Sequence, residues 1–86
     1  MSKVRKAMGR QFDEDFYLSR YPDVKDAGIG ALDHFLQVGW REGRDPAEWF
    51  STNYYLETYP DVRQEGVNPF YHFLTIGFKE NRRTNW

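Results

Sequence analysis

The polar side chains of this sequence that could bind a ligand or catalyse a reaction occur as four pairs, each 38 residues apart (72 − 34 = 38). The histidine pair, together with nearby carboxylates, is the kind of set that binds transition metals. Two histidines are too few for a complete site, and core histidines hydrogen-bonded to backbone or carboxylate groups explain the pairing equally well. We therefore favour a structural polar network over a metal site. Its members are Asp23, His34, Glu42, Arg44, Asp61, His72, Glu80 and Arg82.

The arginines of this set predict ion pairs. Each arginine follows a glutamate by two residues and can also reach the aspartate of a Pro-Asp-Val segment, where a bidentate contact would stabilise a turn. A separate acidic run, Asp13-Glu14-Asp15, lacks the spaced oxygen ligands and central glycine of a calcium loop and is typical of a helix start. The sequence contains no cysteine, nucleophile elbow or phosphate loop. We therefore predict no enzymatic activity, no metal and no cofactor.

The sequence around these pairs is itself repeated, because residues 12–48 align with residues 50–86 without a gap. Asp13 and Ser51 predict the N-caps of a first helix, and the aromatic residues around each cap have the spacing of a hydrophobic staple. A Tyr-Pro dipeptide at residues 21–22, and again at 59–60, predicts the end of this helix and the start of a second. Gly28 and Gly66 predict the left-handed end of the second helix.

A third helix is predicted to run to Gly39 in the first copy and to Gly77 in the second. Placing these glycines at the left-handed position after the helix predicts a Schellman ending, in which Trp40 and Phe78 contact aromatic residues five positions earlier. A further tight turn is predicted at Gly43 and at Asn81, since both residue types tolerate a positive φ.

These elements predict an all-α fold in which two stacked copies of a 38-residue repeat of three short helices share an aromatic core. No segment has the alternating, β-branched pattern of a strand. Repeat one spans residues 12–49, repeat two spans residues 50–86, and together they are predicted to form a single helical domain. Residues 1–11 have no counterpart in the second copy, and we expect them to form a basic, mobile tail.

The first copy resembles a bacterial repeat of the form F-D-x-x-Y-Y-L-x-x-Y-P-D-V, which closes with H-[FY]-L-x-x-G-W-x-E-G-R-x-P. The second copy departs from this pattern at Ser51, Asn81, Arg83 and Thr84, where the pattern has Asp, Gly, a variable residue and Pro. The resemblance covers nearly everything after residue 11. It implies an accessory module of the kind attached to surface-polysaccharide glycosyltransferases and to secreted calcium-binding proteins, and it supplies no catalytic residues. The residues that carry it in the first copy are Phe12-Asp13-x-x-Phe16-Tyr17-Leu18-x-x-Tyr21-Pro22-Asp23-Val24, Gly28, His34-Phe35-Leu36, Gly39-Trp40-Arg41-Glu42-Gly43-Arg44 and Pro46.

Three functions are compatible with these patterns. The first is a non-catalytic interaction or assembly module that docks on a partner protein or on a second copy of itself through Trp40, Trp49, Phe78 and Trp86; the alternative for these aromatic residues is that they are core. The second is glycan binding, in which aromatic rings stack on sugars and carboxylates accept hydroxyl hydrogen bonds.

The third function is contact with nucleic acid or an anionic surface through the basic ends of the chain. Residues 1–11 carry four positive charges, whereas residues 12–78 carry five Lys/Arg and twelve Asp/Glu, a balance of −7 (5 − 12) that repels phosphates. We therefore expect little nucleic-acid binding except through the termini. The sequence predicts no transmembrane segment, and the lack of a signal peptide favours the bacterial cytoplasm.

Overall fold

The structure, a computed structural model, describes residues 3–86 and is built from α-helices. Within this range there is no β-strand, and the one strand-like contact is an isolated bridge between Ala47 and Phe50. The all-α prediction is confirmed. That the two halves are stacked copies of one three-helix unit stays a prediction. The helices are α1 (Lys3–Met8), α2 (Glu14–Arg20), α3 (Pro22–Ala27), α4 (Ala31–His34), α5 (Thr52–Thr58), α6 (Pro60–Glu65) and α7 (Pro69–Thr75).

The predicted caps of the first helix in each half are confirmed. Asp13 accepts a hydrogen bond from the Phe16 N–H at 3.0 Å, and Ser51 accepts one from the Tyr54 N–H at 3.2 Å. Each cap satisfies a backbone donor that has no partner within its helix. The hydrophobic staples are confirmed as well. The ring centroids of Phe12 and Tyr17 are 5.2 Å apart, and those of Phe50 and Tyr55 are also 5.2 Å apart.

The proline and glycine signals also hold. α2 ends at Arg20 and α5 at Thr58, and a proline begins the next helix each time. Gly28 and Gly66 end α3 and α6 with φ of 71° and 68°, where a Cβ would be strained. These short helices therefore begin and end where the prolines and glycines predict.

The predicted ending of the third helix is wrong. Gly39 and Gly77 do not have a positive φ. The first copy continues instead through a π-helical segment, Phe35–Gly39, and the second through a 3-10 turn, Gly77–Glu80. The Schellman turn occurs four residues later, at Gly43 (φ 80°) and Asn81 (φ 57°), where the tight turn was predicted. There the Arg44 N–H donates to the Gly39 carbonyl and the Arg82 N–H to the Gly77 carbonyl, both at 3.0 Å.

The mobile tail predicted for residues 1–11 is not what the structure shows over residues 3–11; Met1 and Ser2 lie outside the described residues. Lys3–Met8 is helical and contacts α7, and Met8 is fully buried. Arg5 also pairs with Asp33 on α4. The sequence prediction failed because a helix without a counterpart in the repeat can still bury one apolar side chain against the core.

The core is one cluster of mostly aromatic side chains drawn from both halves. Phe50 and Phe70 pack with ring centroids 5.0 Å apart, and Phe35 meets Phe70 edge-on at 6.2 Å. Large rings supply most of the buried area of such a short chain. No helix in residues 3–86 has the length and apolar character to span a membrane. The buried members of the cluster are Met8, Phe12, Tyr17, Val24, Ala31, Phe35, Phe50, Tyr55, Val62 and Phe70.

Candidate functional site

Each of the paired histidines is hydrogen-bonded to a tyrosine hydroxyl. The hydroxyl oxygen of Tyr17 lies 2.8 Å from Nδ1 of His34, and the hydroxyl oxygen of Tyr55 lies 2.8 Å from Nδ1 of His72. The sequence analysis expected backbone or carboxylate partners and missed the tyrosines. Both tyrosines are fully buried, and their burial raises the pKa of each hydroxyl well above its usual range. A hydroxyl held protonated in this way is suited to a structural hydrogen bond.

The glycines that were expected to end the third helix instead make room for these hydroxyls. A Cβ placed on Gly39 would overlap the hydroxyl of Tyr17, and a Cβ on Gly77 would overlap that of Tyr55. Both glycines are buried. Their role is therefore the close approach of a side chain to the backbone, not a left-handed conformation.

In each half, the arginine forms a second polar cluster with the predicted carboxylates. Arg44 binds Asp23 with two parallel hydrogen bonds of 2.9 and 2.8 Å, and its Nε lies 3.2 Å from Glu42. Arg82 binds Asp61 at 3.1 and 3.0 Å and Glu80 at 2.8 Å. The bidentate contact lowers the pKa of each aspartate and raises that of each arginine.

Two further tyrosines, which the sequence analysis did not assign to the network, complete these clusters. The guanidinium of Arg44 lies 4.9 Å from the ring centre of Tyr21, and that of Arg82 lies 4.6 Å from that of Tyr59. The hydroxyl of Tyr21 accepts a hydrogen bond from the Asp45 N–H at 2.8 Å. Tyrosine recurs at these two positions with the same 38-residue offset as the arginines (59 − 21 = 38), and this recurrence could have identified both tyrosines.

The geometry favours structural roles for these polar groups. Each arginine has a bidentate aspartate partner, each histidine has a tyrosine partner, and no buried side-chain nitrogen or oxygen in the described range is left without a partner. Nor do any three His, Asp or Glu residues described by the structure come together as a metal-binding group. The arrangement therefore has no ligand set of the kind that holds a metal ion.

The four predicted docking residues lie in different surroundings. Trp40 is half-buried, its indole N–H donates to the Leu36 carbonyl at 3.2 Å, and the Arg41 guanidinium lies 5.1 Å from its ring centre. Trp49 packs against three rings of the second half and is 39% exposed. Phe78 is 51% exposed and Trp86 is 77% exposed. Over residues 3–86 no ring contact joins any two of these four, so they do not form one aromatic patch.

The chain end that carries Trp86 is held in place. The Thr84 carbonyl accepts a hydrogen bond from the Ser51 N–H at 2.7 Å. The side chains of Thr84 and Asn85 both donate to the Trp49 carbonyl, at 2.9 and 2.8 Å. The indole meets the ring of Tyr54 edge-on at 4.8 Å. The exposed indole is therefore anchored on one edge and presented to solvent on the other.

No protein-family model matches this chain, and no similar curated protein or solved structure was found. The resemblance to a bacterial accessory repeat therefore stays a prediction from the sequence.

Proposed function

We propose that this chain is a non-catalytic interaction module that docks on a partner protein or on a second copy of itself, with Trp86 as its principal contact residue. One observation carries the proposal: Trp86, the most exposed large apolar side chain of the described residues, directly follows two residues, Thr84 and Asn85, that three hydrogen bonds hold to Ser51 and Trp49. Tryptophan is among the commonest residues to dominate binding energy at interfaces. A fixed backbone reduces the entropy lost on binding.

The polar network supports docking over catalysis. The repeated aspartates, arginines, histidines and tyrosines bond to one another and hold turns and helix ends in place. A catalytic group needs a free hydrogen-bonding position aimed at a substrate. The network is therefore assigned to stability, and the exposed aromatic and aliphatic side chains are assigned to binding.

The predicted contact residues differ in how much they contribute to the packing of the fold. Trp49 contributes ring packing to the second half, so its removal would disturb the fold as well as any interface. Val38 and Ile76, which the sequence analysis did not select, are exposed at 45% and 49%. These two residues are also 38 positions apart (76 − 38 = 38), and this repetition could have identified them. Trp86 remains the residue whose removal least affects the core.

Replacing Trp86 by Ala is expected to weaken binding to a protein partner at least tenfold, because hot-spot truncations cost about 2 kcal/mol or more. The thermal unfolding midpoint should stay within about 2 °C of that of the parent protein, since the indole is mostly in solvent. Binding is measured by titration with a partner captured on the immobilised chain, and unfolding by circular dichroism.

The matched control is Ile29→Ala, which removes another exposed apolar side chain (46% exposed) away from the chain end. Equal binding by the Trp86 and Ile29 variants would contradict the proposal. Glycan binding is tested beside it by affinity electrophoresis in surface polysaccharide. If polysaccharide slows the parent chain but not the Trp86 variant, and no protein is captured, the ligand of this surface is a glycan and not a protein.

A further inference from the structure

Two short surface segments, 38 positions apart, carry the same combination of side chains. Residues 38–41 read Val-Gly-Trp-Arg, and residues 76–79 read Ile-Gly-Phe-Lys. Each of these exposed segments has an exposed β-branched side chain, a buried glycine, an aromatic ring and an exposed cation. Away from the exposed end of the chain, the molecule therefore presents one kind of surface twice.

The backbone of both exposed segments is hydrogen-bonded. The Arg41 N–H donates to the Val38 carbonyl at 3.0 Å, and the Lys79 N–H donates to the Ile76 carbonyl at 3.0 Å. Residues three apart on such a turn lie above one another, so the aliphatic side chain is near the cation. A surface fixed in this way loses little entropy on binding.

The cations of the exposed segments lie over aromatic rings instead of beside carboxylates. The Arg41 guanidinium lies 5.1 Å from the ring centre of Trp40, and Nζ of Lys79 lies 5.8 Å from that of Phe78. In the part of the chain that the structure describes, neither cation forms an ion pair. A guanidinium or ammonium over a ring keeps N–H donors for an incoming carboxylate.

The carboxylates that follow the exposed segments are already bound within the chain. Glu42 lies 3.2 Å from Nε of Arg44, and Glu80 lies 2.8 Å from Nε of Arg82. Each exposed segment therefore presents one positive charge without a carboxylate partner, next to apolar side chains. The complementary ligand has a negative charge next to an apolar group.

From this charge and its repetition, we infer that each exposed segment binds a short peptide stretch of a partner protein in which a carboxylate lies next to an apolar side chain. The carboxylate pairs with the cation, and the apolar side chain packs on the ring and the β-branched residue. An exposed ion pair alone contributes little, so the apolar contact supplies most of the affinity. These sites do not include Trp86, so the inference goes beyond the proposed function.

The same surroundings disfavour other ligands. The cation is the only charged side chain of each exposed segment, and the indole N–H of Trp40 is already bound by the Leu36 carbonyl. A sugar needs several polar groups around the ring on which it stacks. A nucleic acid would meet the net charge of −7 (5 − 12) on residues 12–78. A short acidic and apolar peptide avoids both difficulties.

Selection from a random peptide library displayed on phage, with the intact chain immobilised, tests the inference. We expect the enriched peptides to carry Asp or Glu within a few residues of a large apolar residue. A synthetic peptide of enriched sequence should shift the backbone amide NMR signals of residues 38–41 and 76–79. Replacing both cations, Arg41→Glu with Lys79→Glu, should weaken its binding about tenfold or more. The same double variant should enrich peptides with Lys or Arg in place of the acidic residue.

The matched control is Lys25→Glu with Arg63→Glu, which reverses another pair of exposed cations 38 positions apart (63 − 25 = 38). This control double variant should bind the peptide within about twofold of the parent chain, because it changes the net charge equally but lies outside the exposed segments. Circular dichroism of both double variants should match that of the parent protein.

Several results would overturn the inference. They are a lack of enriched peptides, enriched peptides without acidic residues, and equal weakening by the two double variants. Retardation in surface polysaccharide that the Arg41 and Lys79 variant loses, with no peptide enriched, would assign the exposed segments to a glycan. Peptides that bind this variant normally but fail to bind Trp86→Ala would overturn the inference and support the proposed function.

Discussion

Replacing Gly39 by Ala is expected to lower the free energy of unfolding by about 3 kcal/mol, and Gly77→Ala by a similar amount. The added methyl would overlap the tyrosine hydroxyl that approaches each glycine, so the buried tyrosine must move and loses its hydrogen bond to histidine. In a domain of this size a loss of 3 kcal/mol lowers the unfolding midpoint by about 12–24 °C. Thermal and urea unfolding followed by circular dichroism measure it.

Two controls separate this mechanism from a general intolerance of alanine. Gly9→Ala places its methyl 3.5 Å from the backbone oxygen of Arg5, an ordinary contact, and should change stability by less than about 0.5 kcal/mol. In a Tyr17→Phe background the hydroxyl is absent, so Gly39→Ala should be distinctly less damaging than in the parent protein. An undiminished loss in that background would show that the hydroxyl is not what the glycine accommodates.

Replacing Phe50 by Ala is expected to lower the free energy of unfolding by about 4 kcal/mol, enough to leave the chain largely unfolded at 37 °C if its stability is at the lower end for small domains. Phe50 is fully buried and packs against Tyr55, Phe70 and Phe73 as well as Trp49. A cavity at this position would be lined by rings that cannot easily collapse into it. Urea unfolding of the purified variant measures the loss.

Phe78→Ala removes the same side chain from a position that is half exposed, and it serves as the matched control. Its expected effect is below about 1 kcal/mol. Similar losses for the two variants would mean that the ring cluster around Phe50 is not the centre of the core.

Local signals were the part of the fold that the sequence predicted well. Caps at Asp13 and Ser51, and left-handed glycines at 28 and 66, depend on a residue and its chain neighbours alone. Such signals act through hydrogen bonds and φ angles that each short segment satisfies by itself. They fix where the helices begin and end before any packing is considered.

Signals that depend on distant residues were misread or missed. Gly39 was predicted to have a left-handed conformation. Its lack of a side chain instead leaves room for the hydroxyl of Tyr17, a residue 22 positions earlier in the chain (39 − 17 = 22). The tyrosine partners of the histidines, 17 residues away in both halves, were missed for the same reason. The packing of α1 through Met8 had no repeat to reveal it. Tertiary contacts decide these features, and composition and spacing do not encode them.

The central claim is that the chain acts by protein contact through its exposed end. Its most direct test is photo-crosslinking in the native cells, with a photoreactive amino acid at position 86 and the same group at the exposed position 64 as control. We predict that position 86 crosslinks to protein, either a partner or another copy of this chain, several-fold more than position 64. Equal and low crosslinking at the two positions would contradict the claim.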